Sequence, residues 1–304
     1  MLNAVDRSFI SPGTSSTAAQ PPRMDAAQAY RADWNVGAAS APTVALAAAP
    51  AAPAPGGGRS AAETHRNALL AADVYNHVPA PPAGTRVATP AELDRLGVTP
   101  GMLDVPSANY RARVYVTGAP GQERYTIAFR GSQEWGDWKA NGQQFLGRDS
   151  VHYYNALRIG ERIARSGAAV EFAGHSLGGG LAATAALASG RHADTFNAAG
   201  LSEATIGRAR AIADAAGVRH GAVHNHRVPG EVLTAAQEGG DRVAGGLLGG
   251  IPGAVLADLP EAYGTQHDLP LVRPEGKNWF EARNPIDRHG MDWVLAGTAA
   301  RAGR

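Results

Sequence analysis

A serine between two glycines is the first candidate for chemistry in this chain. Residues 171–187, EFAGHSLGGGLAATAAL, place Ser176 in a G-x-S-x-G pattern, after a stretch typical of a buried strand and before a stretch typical of a helix. Glycines suit the flanking positions because a tight turn strains the serine backbone and brings neighbouring backbone too close for a Cβ. The N–H of Leu177, at the start of the helix, would face a developing oxyanion. The pattern predicts a serine nucleophile in a strand–elbow–helix turn; the alternative is a serine that only caps the helix.

The segments around Ser176 alternate between strand and helix patterns. We predict a hairpin at residues 111–117 and 124–129, strands at 168–174, 194–200 and 221–228, and helices at 60–77, 150–166, 177–188 and 202–217. Alternation of this kind favours parallel pairing with helical crossovers. The predicted fold class is α/β, with a mostly parallel sheet and helices on both faces.

Composition separates a leader from a folded domain. Residues 1–59 are rich in Ala, Pro, Ser and Gly, which bury too little apolar surface to offset ordering entropy, so we predict a flexible leader and a folded domain at 60–304. The chain has 304 residues, a formal net charge of +1 and no cysteine. The charge gives no general attraction to nucleic acid, and the composition excludes disulfides and thiolate metal sites. We find no signal-peptide pattern and no apolar run long enough for a transmembrane helix.

Two segments resemble the class 3 lipases, an α/β-hydrolase family that includes fungal triacylglycerol lipases and bacterial phospholipases. They are AGHSLGGGLAA at residues 173–183 and YTIAFRGSQEWGDWKAN at residues 125–141, and the similarity extends over roughly residues 107–298. The resemblance implies an α/β-hydrolase fold and carboxylic ester hydrolysis without a cofactor. It also implies that Ser132, after F-R-G, completes the oxyanion hole with Leu177.

The acid and the base of a catalytic triad are expected in the chain order serine, acid, histidine. The resemblance places the acid at Glu231, although the family more often has aspartate, and Asp241 and Asp258 stay open as alternatives. Chain order leaves His267 and His289 as candidate bases. The resemblance favours His289, since an aromatic residue follows it at the start of a closing helix, whereas His267 is predicted on an exposed loop.

Other residues are given lesser roles. His175 is expected to pack inside the elbow. His220, His224 and His226 lack a nearby carboxylate at ligand spacing, so we predict no metal site. The glycine-rich apolar segment at about 235–265 is predicted to form a lid or a wall of the acyl pocket. Trp135 and Trp138 suit either a membrane interface or the core.

The sequence thus predicts a lipid ester hydrolase acting on phospholipid or another acyl ester, with contact to a membrane surface. The leader and the missing signal peptide suggest a bacterial phospholipase effector, made in the cytoplasm, delivered by a specialised secretion machinery to the periplasm of a target cell and restrained by an immunity protein. An intracellular carboxylesterase or polyester depolymerase, and a non-catalytic lipid-binding module, remain alternatives.

Overall fold

Five parallel strands end at the same edge of the sheet. The loops that follow these ends carry most of the predicted site residues. In the computed structural model, which describes residues 59–132, 151–234 and 260–303, eight strands form one mixed sheet in the order β1-β3-β4-β5-β6-β7-β8, with β2 also pairing with β3. Strands β4 to β8 are parallel, and β1, β2 and β4 each pair antiparallel with β3. The strands are β1 (Thr85–Val87), β2 (Asp104–Val105), β3 (Tyr110–Thr117), β4 (Arg124–Phe129), β5 (Val170–His175), β6 (His192–Phe196), β7 (Val223–Arg227) and β8 (Thr265–Asp268).

Helices connect these strands, and several begin with caps visible in the sequence. Ser60 and Glu63 form a capping box on the first helix, and Thr89 and Glu92 form one on the second, with Pro90 at its first position. The helices are α1 (Ala61–Asp73), α2 (Pro90–Leu96), α3 (Pro100–Leu103), α4 (Val151–Ser166), α5 (Leu177–Ser189), α6 (Glu203–Ala215), α7 (Pro285–Arg288) and α8 (Met291–Ala302). Short 3₁₀ turns lie at Pro106–Ala108 and Glu281–Arg283.

Two hydrophobic cores lie on the two faces of the sheet. Helices α2 to α6 pack on one face, against side chains such as Ile127 and Phe172. Helices α1 and α8 pack on the other, in a core that contains Trp293 and Phe196. The predicted α/β class, with a mostly parallel sheet and helices on both faces, is therefore confirmed, and the arrangement is that of an α/β-hydrolase.

The described residues include the last residue of the predicted leader. Arg59 lies 2.6 Å from the carboxylate of Glu171 on β5 and 2.9 Å from that of Asp194 on β6, so it belongs to the folded domain. Residues 1–58, the rest of the predicted leader, lie outside the described residues. Within the described ranges, no helix combines the length and the apolar character needed to cross a bilayer.

Candidate active site

Ser176 occupies a strained backbone conformation between β5 and α5. Its φ of 58° and ψ of −127° are unusual for a residue with a Cβ and cost on the order of 1–3 kcal/mol. Four backbone hydrogen bonds hold it there. Its N–H donates to the carbonyl of Phe196 (3.0 Å), and its carbonyl accepts from Gly179 (2.9 Å), Gly180 (3.3 Å) and Ala199 (3.0 Å). The predicted elbow is present, and the nucleophile candidate stands at its apex.

The two glycines of the motif allow backbone to pass close to the elbow. A Cβ on Gly174 would overlap the carbonyl oxygen of Gly178, and a Cβ on Gly178 would overlap that of Phe129 at the end of β4. Because both obstacles are backbone atoms, neither can rotate away. The G-x-S-x-G spacing is thus a packing requirement of the turn between strand and helix.

His289 and Glu231 form a buried pair. Nδ1 of His289 lies 2.5 Å from Oε2 of Glu231, and both side chains are fully buried. The carboxylate also accepts the N–H groups of Leu233 (2.9 Å) and Thr234 (2.5 Å). Burial alone would raise the pKa of Glu231, but the adjacent imidazole and these donors outweigh it and hold the pKa below its usual value. Glu231 is therefore an anion at neutral pH that can orient the imidazole.

The backbone of His289 is tied to the elbow. Its carbonyl accepts a hydrogen bond from Nε2 of His175, the residue before Ser176 (2.7 Å), and another from Nδ2 of Asn197 (3.1 Å). Asn197 follows β6 with a φ of 43°, and its Oδ1 accepts the N–H of Val228 after β7 (2.8 Å). The end of β5 and the residue after β6 thus hold the backbone of His289 directly, and the residue after β7 holds Asn197.

The loop after β4 passes close to the serine. A Cβ on Gly131 would stand 3.3 Å from Cβ of Ser176, so the Gly131–Ser132 backbone runs directly beside the nucleophile candidate. The N–H of Gly131 donates to Oη of Tyr75, which follows α1 (3.0 Å). Leu177 is the first residue of α5. Leu177, at the start of α5, and Ser132, the residue after Gly131, are the two residues predicted to bind an oxyanion.

His175 does more than fill space inside the elbow, which is the role the sequence suggested for it. Its Nδ1 lies 3.2 Å from Oη of Tyr75, and its Nε2 lies 2.7 Å from the carbonyl of His289. Burial and the neighbouring His289 lower the pKa of His175 to about 3, so the ring is neutral. The carbonyl requires the proton on Nε2, which leaves Nδ1 to accept the Tyr75 hydroxyl proton.

His267 was predicted on an exposed loop, and this prediction is wrong. It lies on β8, partly buried, with its Nε2 2.8 Å from Nδ1 of His224. Its ring also stacks on those of His224 and His226, at centroid distances of 5.1 Å and 5.2 Å. Pairing of β8 with β7 produces this burial, and the alternative base belongs to a different group of side chains from Glu231 and His289.

The histidine cluster, defined as His192, His224, His226 and His267, lies on the sheet face covered by α1 and α8. Nε2 of His226 is 3.0 Å from the buried carboxylate of Asp194. His220, which the sequence grouped with His224 and His226, instead pairs with Asp214 (3.0 Å). Among the described residues, no set of three or more histidine or acidic side chains is arranged to hold a metal ion.

Several predicted features fall outside the described residues. They are the alternative acids Asp241 and Asp258, the tryptophans Trp135 and Trp138, and residues 235–259 of the predicted lid. Among the described candidates, Leu177 follows Ser176 at the elbow, the loop that leads to Ser132 passes beside Ser176 at Gly131, and Glu231 pairs with His289.

Two residues of this region were missed by the sequence analysis. Tyr75 and Asn197 each bond to the elbow or to His289 across long stretches of sequence. Asn197 carried a weak signal, since asparagine directly after a strand tolerates a positive φ. Tyr75 carried none, because its role depends on how the end of α1 packs on the sheet.

Comparison with known proteins identifies the family. A model of the Tle-like phospholipase domain matches residues 66–275. The chain is also 33% identical over 274 residues to an extracellular phospholipase A1 of Serratia liquefaciens, covering 84% of this chain and 77% of that protein. The chain belongs to the Tle-like phospholipase family. It is accordingly an ester hydrolase of the lipase and phospholipase class.

A weaker similarity is to a solved fungal lipase in complex with an inhibitor. It is 16% identical, covers 47% of this chain and 74% of its own, and superposes with a TM-score of 0.25. Sheet order, elbow and family membership, rather than this superposition, define the fold of this phospholipase.

Proposed function

We propose that this phospholipase hydrolyses the sn-1 acyl ester of phospholipids with Ser176 as nucleophile, His289 as general base and Glu231 as the orienting acid. The observation that carries the proposal is the buried pair of His289 and Glu231, together with the hydrogen bond that fastens the backbone of His289 to the elbow that presents Ser176. The sn-1 position is suggested by the Serratia relative, which is named a phospholipase A1.

In the proposed reaction, Oγ of Ser176 attacks the acyl carbonyl carbon while Nε2 of His289 takes the hydroxyl proton. The negative charge of Glu231 stabilises the imidazolium that forms. The N–H groups of Leu177 and Ser132, with the Ser132 hydroxyl, hold the oxyanion of the tetrahedral intermediate.

His289 then gives its proton to the leaving lysophospholipid oxygen, and an acyl-enzyme remains. Water attacks the acyl-enzyme with His289 again as base, and the fatty acid leaves as the serine is regenerated. The steps transfer only an acyl group and protons. Ser176 carries the acyl group, and His289 carries the proton.

The test uses a phospholipid with different acyl chains at sn-1 and sn-2. We expect the wild type to release the sn-1 chain and Ser176→Ala to release neither. We expect Glu231→Gln to lower kcat by about 10²–10⁴-fold, because the amide keeps the shape but removes the charge that steadies the imidazolium. Release of the sn-2 chain alone would refute the proposed cleavage at sn-1. Full activity of Glu231→Gln would refute the role of Glu231 as the orienting acid.

We also propose that the enzyme acts outside the cell that makes it, as an antibacterial effector restrained by an immunity protein. A phospholipase threatens the membranes of its own cell unless it is exported or inhibited, and the Serratia relative is named extracellular. Expression in the cytoplasm or periplasm of a sensitive bacterium tests this. Growth arrest by periplasmic wild type, and not by Ser176→Ala, is expected; normal growth with active periplasmic enzyme would refute the role.

A further inference from the structure

Exposed apolar side chains concentrate in the segment between β8 and α7. Of the six large hydrophobic residues exposed in the described part of the chain, four lie within residues 271–280. They are Leu271 (49% exposed), Val272 (37%), Trp279 (52%) and Phe280 (78%). Single exposed hydrophobic residues are common on protein surfaces, but two adjacent aromatic side chains with two aliphatic ones nearby in sequence point to a contact surface.

The two aromatic rings are held by a structured turn. Oδ1 of Asn278 accepts the N–H groups of Phe280 (2.9 Å) and Glu281 (3.0 Å), and the Glu281 carboxylate accepts the N–H of Asn278 (2.7 Å). Trp279 and Phe280 meet edge to face, with centroids 5.3 Å apart. Their exposure therefore results from defined local structure.

This turn is joined to the loops of the active site. Nε of Arg288 donates to the carbonyl of Ala282 (2.6 Å), and its NH1 donates to the carbonyl of Pro229 (3.1 Å). Arg288 is the residue before His289, and Pro229 lies two residues before Glu231. Lys277 adds an ion pair with Asp287 (2.6 Å). The aromatic pair is thus carried by the same edge of the sheet as the proposed triad.

The chemistry of the turn matches a phospholipid surface. The guanidinium of Arg283 stacks on the Trp279 ring, 3.7 Å from its centroid. Indole rings favour the boundary between headgroups and acyl chains, and a guanidinium binds phosphate. When the Trp279 ring lies at the boundary of the acyl-chain layer, the Arg283 guanidinium beside it is placed to bind a lipid phosphate.

We propose that Trp279 and Phe280 insert into the surface of a phospholipid bilayer, with Arg283 on a lipid phosphate, so that the bilayer faces the active-site edge. This inference rests on the proposed phospholipid substrate, which must pass from a bilayer into the site. The acidic side chains of Glu275 and Glu281 lie in the same segment as the cations Lys277 and Arg283. We therefore expect binding to bilayers with zwitterionic headgroups, without a need for anionic lipid.

Binding is measured in Ser176→Ala, which leaves the vesicles intact. Sedimentation with phosphatidylcholine vesicles compares this protein with the same protein carrying W279S and F280S. We expect the double substitution to weaken binding at least about tenfold, because two large apolar side chains no longer leave water. The matched control is Val87→Ser, since Val87 is an exposed apolar residue on β1, at the opposite end of the sheet. It should bind like the parent.

Activity is measured in the protein that retains Ser176. With W279S and F280S, kcat/KM on a short soluble ester should stay within about twofold, whereas vesicle hydrolysis should fall with binding. Unchanged vesicle binding would overturn the inference, as would an equal loss on both substrates. A dimer that these substitutions convert to monomer, with vesicle binding unaltered, would assign the patch to self-association instead. Wild type that cleaves soluble esters but no phospholipid would contradict the proposed function, and this result is distinct from the others.

Discussion

At the scale of single residues, one hydroxyl joins three parts of the active site. Oη of Tyr75 accepts the N–H of Gly131, beside the proposed oxyanion hole, and donates to Nδ1 of His175. The other nitrogen of His175 holds the carbonyl of His289. Tyr75 touches none of the reacting atoms in the proposed mechanism, so it acts as a positioning residue for both the oxyanion loop and the base.

We expect Tyr75→Phe to lower kcat about tenfold on a soluble ester with little change in KM, because one hydrogen-bond relay of about 1–1.5 kcal/mol no longer fixes the two loops. Steady-state kinetics on the soluble ester give kcat and KM separately. Tyr263→Phe is the control, since that hydroxyl contacts Arg210 on α6. A lower melting temperature with unchanged kcat would mean that Tyr75 serves stability alone.

At the scale of elements, two glycines in helices differ sharply in what surrounds them. A Cβ on Gly178, in the first turn of α5, would overlap the carbonyl of Phe129, whereas a Cβ on Gly207 in α6 meets no atom within 4 Å. We expect Gly178→Ala to fold poorly or lose activity. Gly207→Ala should raise the free energy of unfolding by about 0.5–1 kcal/mol, because alanine loses less backbone entropy in a helix.

Denaturant unfolding and ester hydrolysis measured on both variants test this contrast. A Gly178→Ala protein as stable and active as the wild type would show that β4 and α5 can move apart. The same substitution at Gly207 controls for any general effect of alanine in a helix.

The elements were largely predictable from sequence, because helix caps and apolar periodicity are local signals. Ser60, the elbow at Ser176 and the β3–β4 hairpin are examples. His267 was misplaced because T-Q-H-D is polar and resembles a loop until it pairs with β7. Spacing alone left the acid undecided, and it was the resemblance that pointed to Glu231. Tyr75 could not be predicted, since its contacts span 56 residues to Gly131 and 100 residues to His175.

At the scale of the whole molecule, the histidine cluster links stability to pH. Burial lowers the pKa of both His224 and His267, with neighbouring imidazoles adding to the effect for each and Arg301 for His267. The folded protein therefore keeps these rings neutral at a pH where unfolded histidine, with a pKa of about 6.5, binds protons. Their contribution is complete above that pH and is lost progressively as pH falls below it.

We expect the melting temperature to fall between pH 7.5 and pH 5.5, and to fall less in His267→Gln, because one group that binds a proton on unfolding is removed. His220→Gln, which changes an exposed histidine outside the cluster, is the comparison variant. Thermal unfolding across this range is the measurement. The range from pH 7.5 to pH 5.5 lies above the pH at which carboxylates titrate. At that lower pH, the lowered pKa of Asp194 causes a separate loss of stability. Parallel curves for wild type and His267→Gln would contradict this account.

The burial of helix α5 affects the order in which parts of the molecule unfold. All 13 of its residues are buried, and their small side chains let the sheet and α4 approach closely. Backbone amides in such a helix reach solvent only when the whole domain unfolds, so their hydrogen exchange should be among the slowest in the protein. Ser176 is the residue directly before this helix, and its side chain makes no capping hydrogen bond. The most strained residue of the active site is thus attached to the segment that exchanges last, and local fluctuations cannot relax the strain.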